Sequence, residues 1–521
     1  MTPEIPVSPK KVVAVADIGT GGIRMVVAEI GSKAEIRYLE NLQRPIRFGR
    51  DVFTGGRISA SSTREALKIL KDFRTVAETY GVKKIHAVAT SAVREAANRD
   101  NFVDQVYVRT GIEIEILDGS EENRLQLIAV ESALEGKFDL EKKNCLIAEV
   151  GSGSTELIIL SQGQVELTRT LSLGAMRFPE GVTPGKTEPA VMRQVLKRNV
   201  HEISVYAARE YNLGQIDTFV ALGSDMRLVS QQLITEQNPS FATFTKKAFM
   251  EFIAKIGKMT PEDIVTQFGV PYSQAELLYP SLLVYANFMG ETAAETVIVP
   301  MVSMRDGLLL ELAQMFSDYK RTDLSKQVIN SAKHLGTKYQ YDRSHALCVT
   351  ALALKLFDTL REDHGMGPKE RLLLEVSGVL HDIGTFISPA AHHKHSSYLV
   401  NAAEIFGLRR SEKEIVSNVV RYHRRSIPKP THIPYMSLPK SDRSVVSKLA
   451  AILRVADALD HEHQQKIRNF SLEVLNDAYI LWIPEEVGDI SMERESLREK
   501  GDMFAEVFGS PVQLRVGKPS R

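Results

Sequence analysis

Twice along this chain an apolar run stops on an acid, passes through a few small residues and restarts. Residues 12–15 lead into Ala16-Asp17-Ile18-Gly19-Thr20-Gly21-Gly22, after which 23–30 is again mostly apolar. Leu146 and Ile147 lead into Ala148-Glu149-Val150-Gly151-Ser152-Gly153-Ser154, and 157–160 is apolar once more. Each copy reads as a β-hairpin with a carboxylate at the end of its first strand. Glycine in the turn permits φ > 0 and leaves no Cβ to block a ligand. Around the first hairpin the pattern predicts strands at 12–16, 23–30, 85–89 and 112–117. It predicts helices at 62–80, with Thr63 as cap and Gly81 as stop, at 101–110 and at 121–134. Around the second it predicts strands at 146–150, 157–160, 165–171, 218–222 and 296–299, and a helix at 191–211.

From about residue 316 the periodicity becomes that of amphipathic helices, including 344–360, 371–381 and 445–458. Alternation returns at 471–483 and 513–516. The expected organisation is therefore an α/β domain over 1–138, a second over 139–315, an all-helical domain over 316–468 and a small α+β module over 469–521.

Composition narrows the function without deciding it. The 65 basic and 65 acidic residues cancel, which argues against a nucleic-acid coat or a polybasic membrane anchor, although local patches remain open. Cys145 and Cys348 both sit in apolar runs and read as buried thiols of a reducing compartment. No run approaches a transmembrane span, and residues 1–11 carry no signal-peptide core. The expected setting is cytoplasmic, with no membrane and no nucleic-acid partner.

The two hairpins carry the first candidate chemistry. Consecutive N–H groups at Gly19, Thr20, Gly21 and Gly22, and at Gly151, Ser152, Gly153, Ser154 and Thr155, could cradle phosphate oxygens, with Arg24 alongside. Facing carboxylates at Asp17 and Glu149 suit Mg²⁺. After the strand at 85–89, Ser91 offers a hydroxyl and Arg94 a forked cation, although a cap and an exposed arginine would give the same pattern. Glu121 and Glu122 open the helix after Asp118-Gly119-Ser120. Acids there commonly serve the helix dipole, yet a carboxylate over a phosphate cleft could also activate water. In the helical region His345, the adjacent His381-Asp382 and Asp457 suit a second divalent metal, with His393, His395 and His423 as further candidate ligands. Arg421, Arg424 and Arg425 form a local basic stretch that reads either as a solvated helix end or as a polyanion surface.

Taken together, Asp17-Ile18-Gly19-Thr20, Thr90-Ser91-Ala92-Val93-Arg94, Gly119-Ser120-Glu121-Glu122-Asn123-Arg124, Gly151-Ser152-Gly153-Ser154-Thr155-Glu156 and Arg305-Asp306-Gly307-Leu308 resemble the exopolyphosphatase / guanosine pentaphosphate phosphohydrolase family in its long form. The resemblance spans essentially the whole chain. It implies two ribonuclease-H-like domains of the actin-like superfamily, an HD-type helical domain and a small C-terminal module. It implies a phosphoanhydride hydrolase with Glu122 as catalytic base and Mg²⁺ near Glu149. The substrate would be inorganic polyphosphate or guanosine pentaphosphate, gripped by the hairpin loops and Arg94, and the molecule a homodimer; the basic stretch, through Arg424 and Arg425, is expected from its charge to add to that grip.

Four departures from the family pattern bear on rate and substrate. The first loop reads Thr-Gly-Gly where Ser-Asn-Ser is usual. Glu149 stands for Asp, Ser152 for a loop glycine, and Asn123 for Ala beside the base. These departures also admit a non-catalytic polyphosphate or alarmone sensor signalling through the helical domain. His381-Asp382 is intact where many long-form relatives have lost it, so that domain could itself be a metal phosphohydrolase.

Overall fold

The computed structural model describes residues 11–177, 211–316 and 324–518, apart from Lys33, Arg425 and Asn476, and a few positions between 191 and 201. The helix expected at 191–211 falls largely outside the described residues. The chain forms two compact units that part between residues 323 and 324.

The first unit holds two sheets of one plan. In the first, β1 (Lys11–Ile18), β2 (Gly22–Ile30) and β3 (Ile36–Pro45) form an antiparallel meander, and β4 (Ile85–Ala89) and β5 (Ile114–Ile116) add in parallel on the other side of β1. In the second, β6 (Asn144–Val150), β7 (Thr155–Ser161) and β8 (Gln164–Leu171) repeat the meander. The parallel strands there are β9 (Thr218–Leu222) and β12 (Thr296–Pro300). Two short strands, β10 (Glu236–Asn238) and β11 (Phe241–Thr245), extend the far edge. The strands at 85–89 and 218–222 have the predicted bounds. β3, β10 and β11 were not predicted. β3 is an edge strand of mostly polar, exposed residues, so it lacks the alternation that marks a half-buried strand. The long helix of the first domain is Ala60–Thr79. Its cap is Ser59, whose side chain accepts from the Ser62 amide, rather than Thr63.

Each sheet carries its own apolar core. Phe48, Leu70, Phe73 and Phe102 fill the first, and Phe219, Phe244, Phe249 and Phe288 the second. The two domains are tied by exchanged helices. Gly119–Leu134, which follows the first sheet in the chain, packs on β7, β8 and β12. Met304–Phe316, which follows the second sheet, packs on β1, β2 and β3, where Leu309 and Leu312 join a cluster with Val13, Val15 and Val26. The exchanged helices also meet each other. A Cβ on Gly307 would overlap the Leu125 carbonyl, and Arg124 Nη2 reaches Glu311 at 2.8 Å. Glycine is needed there for the close approach of two backbones.

The second unit is a helical bundle with a three-stranded sheet. Helices Ser325–Lys338, Arg343–Thr359, Pro368–Leu380, His392–Ala402, Arg410–Arg421 and Lys440–Ala458 surround a core containing Leu356, Leu374, Val416 and Leu453. β13 (Ser471–Leu475), β14 (Ala478–Ile483) and β15 (Val512–Val516) add Tyr479, Leu481 and Leu514 to that same core. The C-terminal segment is thus continuous with the bundle. Buried Arg454 fastens it further, with Nε on the Lys500 carbonyl at 2.9 Å and Nη2 on Asp502 at 2.6 Å.

Tyr285 fixes the ends of β6 and β9. Its hydroxyl accepts from the Val150 amide at 2.8 Å and donates to the Leu222 carbonyl at 2.5 Å, with the ring fully buried. Tyr285→Phe leaves a buried donor and a buried acceptor without partners. It should cost about 1–3 kcal/mol of stability, read from denaturant unfolding. An unchanged midpoint would show that the strand ends are held by other contacts.

Candidate active site

The hairpin register sets the site. Asp17 lies opposite Arg24 across β1 and β2, and Glu149 opposite Glu156 across β6 and β7. Directly opposed residues point to one face of a sheet. The first hairpin therefore presents an acid beside a cation, with Arg24 Nη1 at 3.3 Å from Asp17 Oδ2, and the second presents two acids.

The turns match bond for bond. The Gly19 amide donates to the Gly22 carbonyl at 3.0 Å, and the Gly151 amide to the Ser154 carbonyl at 2.8 Å. Each loop is backed by a later segment. Gly49 N donates to Thr20 O at 2.9 Å, and Met176 N to Ser152 O at 2.8 Å. The loops face each other: a Cβ on Gly21 would lie 3.5 Å from Ser152 Oγ, and one on Gly153 would lie 2.6 Å from Ser91 Oγ and 2.9 Å from Thr20 Oγ1. Thr20 and Ser91 share a buried hydrogen bond of 2.9 Å.

One element of the expectation is corrected. Gly19, Gly21, Gly22, Gly151 and Gly153 all lack positive φ. Glycine serves these loops by its missing side chain, which lets two backbones and their hydroxyls crowd together. Ser154 and Thr155 are also committed. The Thr155 hydroxyl donates to the Leu173 carbonyl at 2.6 Å, and the Ser154 side chain hydrogen-bonds Glu156.

The helix Gly119–Leu134 brings the third carboxylate. Asp118 caps it by accepting from the Glu121 amide at 2.9 Å. Its two first-turn acids then part company. Glu121 accepts from Arg124 Nη2 at 2.6 Å and belongs to the helix-to-helix tie, whereas Glu122 pairs with Arg94 Nη1. Arg94 also donates to the Leu117 carbonyl at 2.8 Å, so the guanidinium is aimed by the end of the neighbouring strand β5.

The charges of Asp17 and Glu149 act on Glu122, that of Asp17 on Glu149, and those of Glu122 and Glu149 on Glu156. Burial pushes the Glu122 carboxyl up to about 7 against the pull of Arg94, with Asp17 and Glu149 adding to the rise. Burial, then the Glu122 charge, holds Glu156 well above the carboxylate range, and burial raises Glu149. Glu149 Oε2 accepts from Gln126 Nε2 at 2.8 Å. Arg227 and Arg305 oppose the rise at Glu149, and Arg305 Nη1 is buried without a hydrogen-bond partner. Such a donor can pair with an anionic oxygen.

Glu156, Gln126, Arg227 and Arg305 were not among the predicted site residues. The two-fold pattern held a signal for one of them. Glu156 occupies in the second hairpin the place of Arg24 in the first.

In the second unit, the four predicted metal-site residues converge. His345 Nε2 is 3.2 Å from His381 Nε2, 3.5 Å from Asp457 Oδ1 and 3.9 Å from Asp382 Oδ2. The other oxygen of Asp382 faces a second pair, His392 Nε2 at 3.2 Å and His423 Nε2 at 3.4 Å. His423 was among the candidates. His392, which begins its helix and faces inward, takes the place expected for His393 or His395. Arg424 Nη1 approaches His392 Nδ1 at 3.5 Å, and Arg425 lies outside the described residues.

A model of the Ppx/GppA phosphatase family matches residues 26–316, and one of that family's domain III matches 329–489. The chain belongs to the Ppx/GppA phosphatase family. One relative is a guanosine-5'-triphosphate,3'-diphosphate pyrophosphatase from Photobacterium profundum, 23% identical over 92% of each chain. Another is exopolyphosphatase 1 from Mycobacterium bovis, 25% identical over 62% of this chain and 94% of that protein. A crystal structure of an exopolyphosphatase from Cytophaga hutchinsonii is similar in fold to part of this chain. It has a TM-score of 0.53 and 19% identity, and covers 60% of this chain and all of the other. The phosphoanhydride hydrolase read from the sequence agrees with these names. Among the described residues, no helix is long and apolar enough to cross a membrane.

The loop contact yields a test. Gly153→Val places its branch against Phe53, Ser91 and Thr20, with Phe53 Cζ 2.6 Å from the Cβ. Phosphatase activity should fall at least tenfold through KM or kcat, with the circular dichroism spectrum retained. Normal turnover would show that the two loops separate freely from each other.

Proposed function

We propose that this protein is an exopolyphosphatase in which Glu122 takes a proton from the water that attacks the terminal phosphoryl group. The observation that carries this reading is the placement of Glu122. It is a buried carboxylate with its pKa near 7, held by Arg94 beside two facing hairpin loops. A base titrating near the working pH combines an available lone pair with enough basicity to accept the proton. Its neighbour Glu121 is spent on Arg124 and makes a poorer candidate.

The residues divide the work by charge. Arg94, Arg24, Arg227 and Arg305 supply fixed positive charge for the phosphate oxygens. Binding of a phosphate to Arg94 would loosen its hold on Glu122 and free the carboxylate for water. The amides and hydroxyls of Thr20, Gly21, Ser91, Ser152 and Gly153 would orient the terminal phosphate by the close packing of the two loops. The donor set at the ends of β1 and β6 suits Mg²⁺. Asp17 and Glu149 offer hard oxygens, and burial, with the Asp17 charge adding, raises the Glu149 carboxyl against the pull of Arg227. Held by these two residues, Mg²⁺ would offset charge on the transferred phosphoryl group.

A second substrate reading rests on a cavity. A cavity of about 580 Å³ opens in the same unit, lined by Tyr38, Asn41, Ser240, Arg227, Arg305 and Asp306 among others. That volume accommodates a nucleoside, and two of its arginines also face the carboxylate cluster. Guanosine pentaphosphate would fit with its base in this cavity, whereas polyphosphate makes no use of it.

Phosphate release from long-chain polyphosphate and from guanosine pentaphosphate, both with Mg²⁺, tests both readings. Glu122→Gln should lower turnover of the preferred substrate by roughly 10²–10⁴, with KM nearly unchanged. Near-wild-type turnover in this variant would overturn the role of Glu122. A higher kcat/KM for guanosine pentaphosphate than for polyphosphate would select the second reading. Tight binding of either compound with no turnover by the wild type would make the protein a sensor.

A further inference from the structure

The two hairpin loops are held from behind in different ways. In the first, the carbonyls of Thr20 and Gly21 accept from the backbone amides of Gly49 at 2.9 Å and Ile46 at 3.3 Å. In the second, three consecutive carbonyls are taken by three consecutive residues. Ala175 N donates to Gly151 O at 3.0 Å, Met176 N to Ser152 O at 2.8 Å, and the Nε–H of Arg177 to Gly153 O. The last of these bonds needs a side chain, because the Arg177 amide is already spent on the Gly174 carbonyl at 2.9 Å. A trans peptide plane points its carbonyl and its amide in opposite directions. Carbonyls turned toward 175–177 therefore turn the amides of Ser152, Gly153 and Ser154 away from that segment. Among the described residues, none of these three amides has a backbone acceptor. Arg177 is itself fixed on two further sides. Its Nη2 reaches both carboxylate oxygens of Glu95, at 2.5 and 2.6 Å, and its guanidinium carbon lies 4.1 Å from the centre of the Phe53 ring. The same ring packs on Gly153, where a Cβ would meet its Cζ at 2.6 Å. Glu95 ends the short helix Ser91–Glu95, which also carries Ser91 and Arg94. The guanidinium thus ties the second loop to the segment that presents Arg94 to Glu122.

We propose that Arg177 is a positioning residue for the phosphate grip: by holding the Gly153 carbonyl it keeps the Ser154 amide, with those of Ser152 and Gly153, aimed at the phosphate oxygens of the bound polyanion. The proposal rests on the reading of the two loops as that grip. Glycine has no side chain to resist rotation about its own backbone bonds, so nothing at Gly153 itself stops the Gly153–Ser154 peptide from turning over. Turned over, it would present a carbonyl oxygen to the phosphate in place of an N–H, replacing an attraction by a repulsion. The guanidinium opposes this as a planar fork. Nε takes the carbonyl, Nη2 takes Glu95, and the face of the plane lies on Phe53. A lysine ammonium at this position would keep the charge but would not fix the carbonyl and the carboxylate in one plane.

The test is binding of bis(methylene)triphosphonate, a triphosphate analogue whose P–C–P links resist hydrolysis, to the full-length protein with Mg²⁺, measured by isothermal titration calorimetry. Arg177→Ala should weaken binding by roughly tenfold, and Arg177→Lys, which keeps the charge, by nearly as much. Millimolar guanidinium should recover most of the loss in Arg177→Ala and leave the wild type unchanged. Binding by Arg177→Ala within twofold of the wild type would overturn the proposal. Wild-type affinity in Arg177→Lys would overturn it as well, by showing that charge alone is at work. A loss that guanidinium does not relieve, accompanied by a fall in melting temperature, would make Arg177 a structural contact only. The readout does not depend on turnover. A wild type that binds the analogue but releases no phosphate from polyphosphate or guanosine pentaphosphate would count against the role of Glu122, while the affinities would still decide the role of Arg177. A wild type that does not bind the analogue would overturn the loop reading and this proposal with it.

Discussion

Four carboxylates, Asp17, Glu122, Glu149 and Glu156, are gathered where little water reaches them, and the architecture of the first unit can be read as the means of holding them together. Two come from the first strands of the repeated hairpins, one from the strand opposite Glu149 and one from the exchanged helix. Burial penalises the charged forms of Glu122, Glu149 and Glu156, and neighbouring carboxylate charge adds to the penalty. The arginines offset this only in part. Arg94 pairs with Glu122 and Arg24 with Asp17, whereas Glu122 and Glu156 still have raised pKa values. A site with this imbalance favours ligands that bring their own cations.

The fold resists that strain at specific points. Tyr285 holds the ends of β6 and β9 in register beneath Glu149. The exchanged helices, locked by the Gly307–Leu125 approach and by Arg124 between Glu121 and Glu311, keep Glu122 from retreating. These contacts carry no chemistry, yet without them Glu122, Glu149 and Glu156 would relax apart and move back toward ordinary acidity. The second unit gathers nitrogen in a similar way, with His345 and His381 toward one oxygen of Asp382 and His392 and His423 toward the other.

The sequence revealed the hairpins, the acids that close them, Glu122, Arg94 and the His345, His381, Asp382, Asp457 set, because each is a local pattern tied to a strand or helix end. Its reading of the loop glycines was wrong in one part. φ > 0 and a missing Cβ were both expected; none of these glycines has positive φ, and at Gly153 crowding by Thr20, Ser91 and Phe53 is what requires glycine. β3 was illegible because its exposed edge carries no alternation. The Glu156 side chain was hidden because an acid opposite an acid is visible only once the strands are paired. His392 was passed over among three histidines within four residues, where helix phase, rather than composition, decides which ring faces Asp382. The helix exchange that joins the two domains had no local signal, because it depends on contacts between residues nearly two hundred positions apart.

The claim that the first unit holds its carboxylates against their preferred ionisation is tested most directly by thermal stability as a function of pH in metal-free protein. Glu122 binds its proton more tightly folded than unfolded, with its pKa raised from 4.5 to about 7. Below pH 4.5 it is protonated in both states and has no effect. As pH rises from there to 7 the unfolded chain ionises first, so the folded state loses stability, and above 7 the full cost is present. Melting curves of wild type and Glu122→Gln should coincide in relative stability near pH 5 and separate as pH rises through 7, with the glutamine variant the more stable by several degrees at pH 8. Parallel curves across that range, or a glutamine variant that is less stable at pH 8 than at pH 5 relative to wild type, would contradict the account.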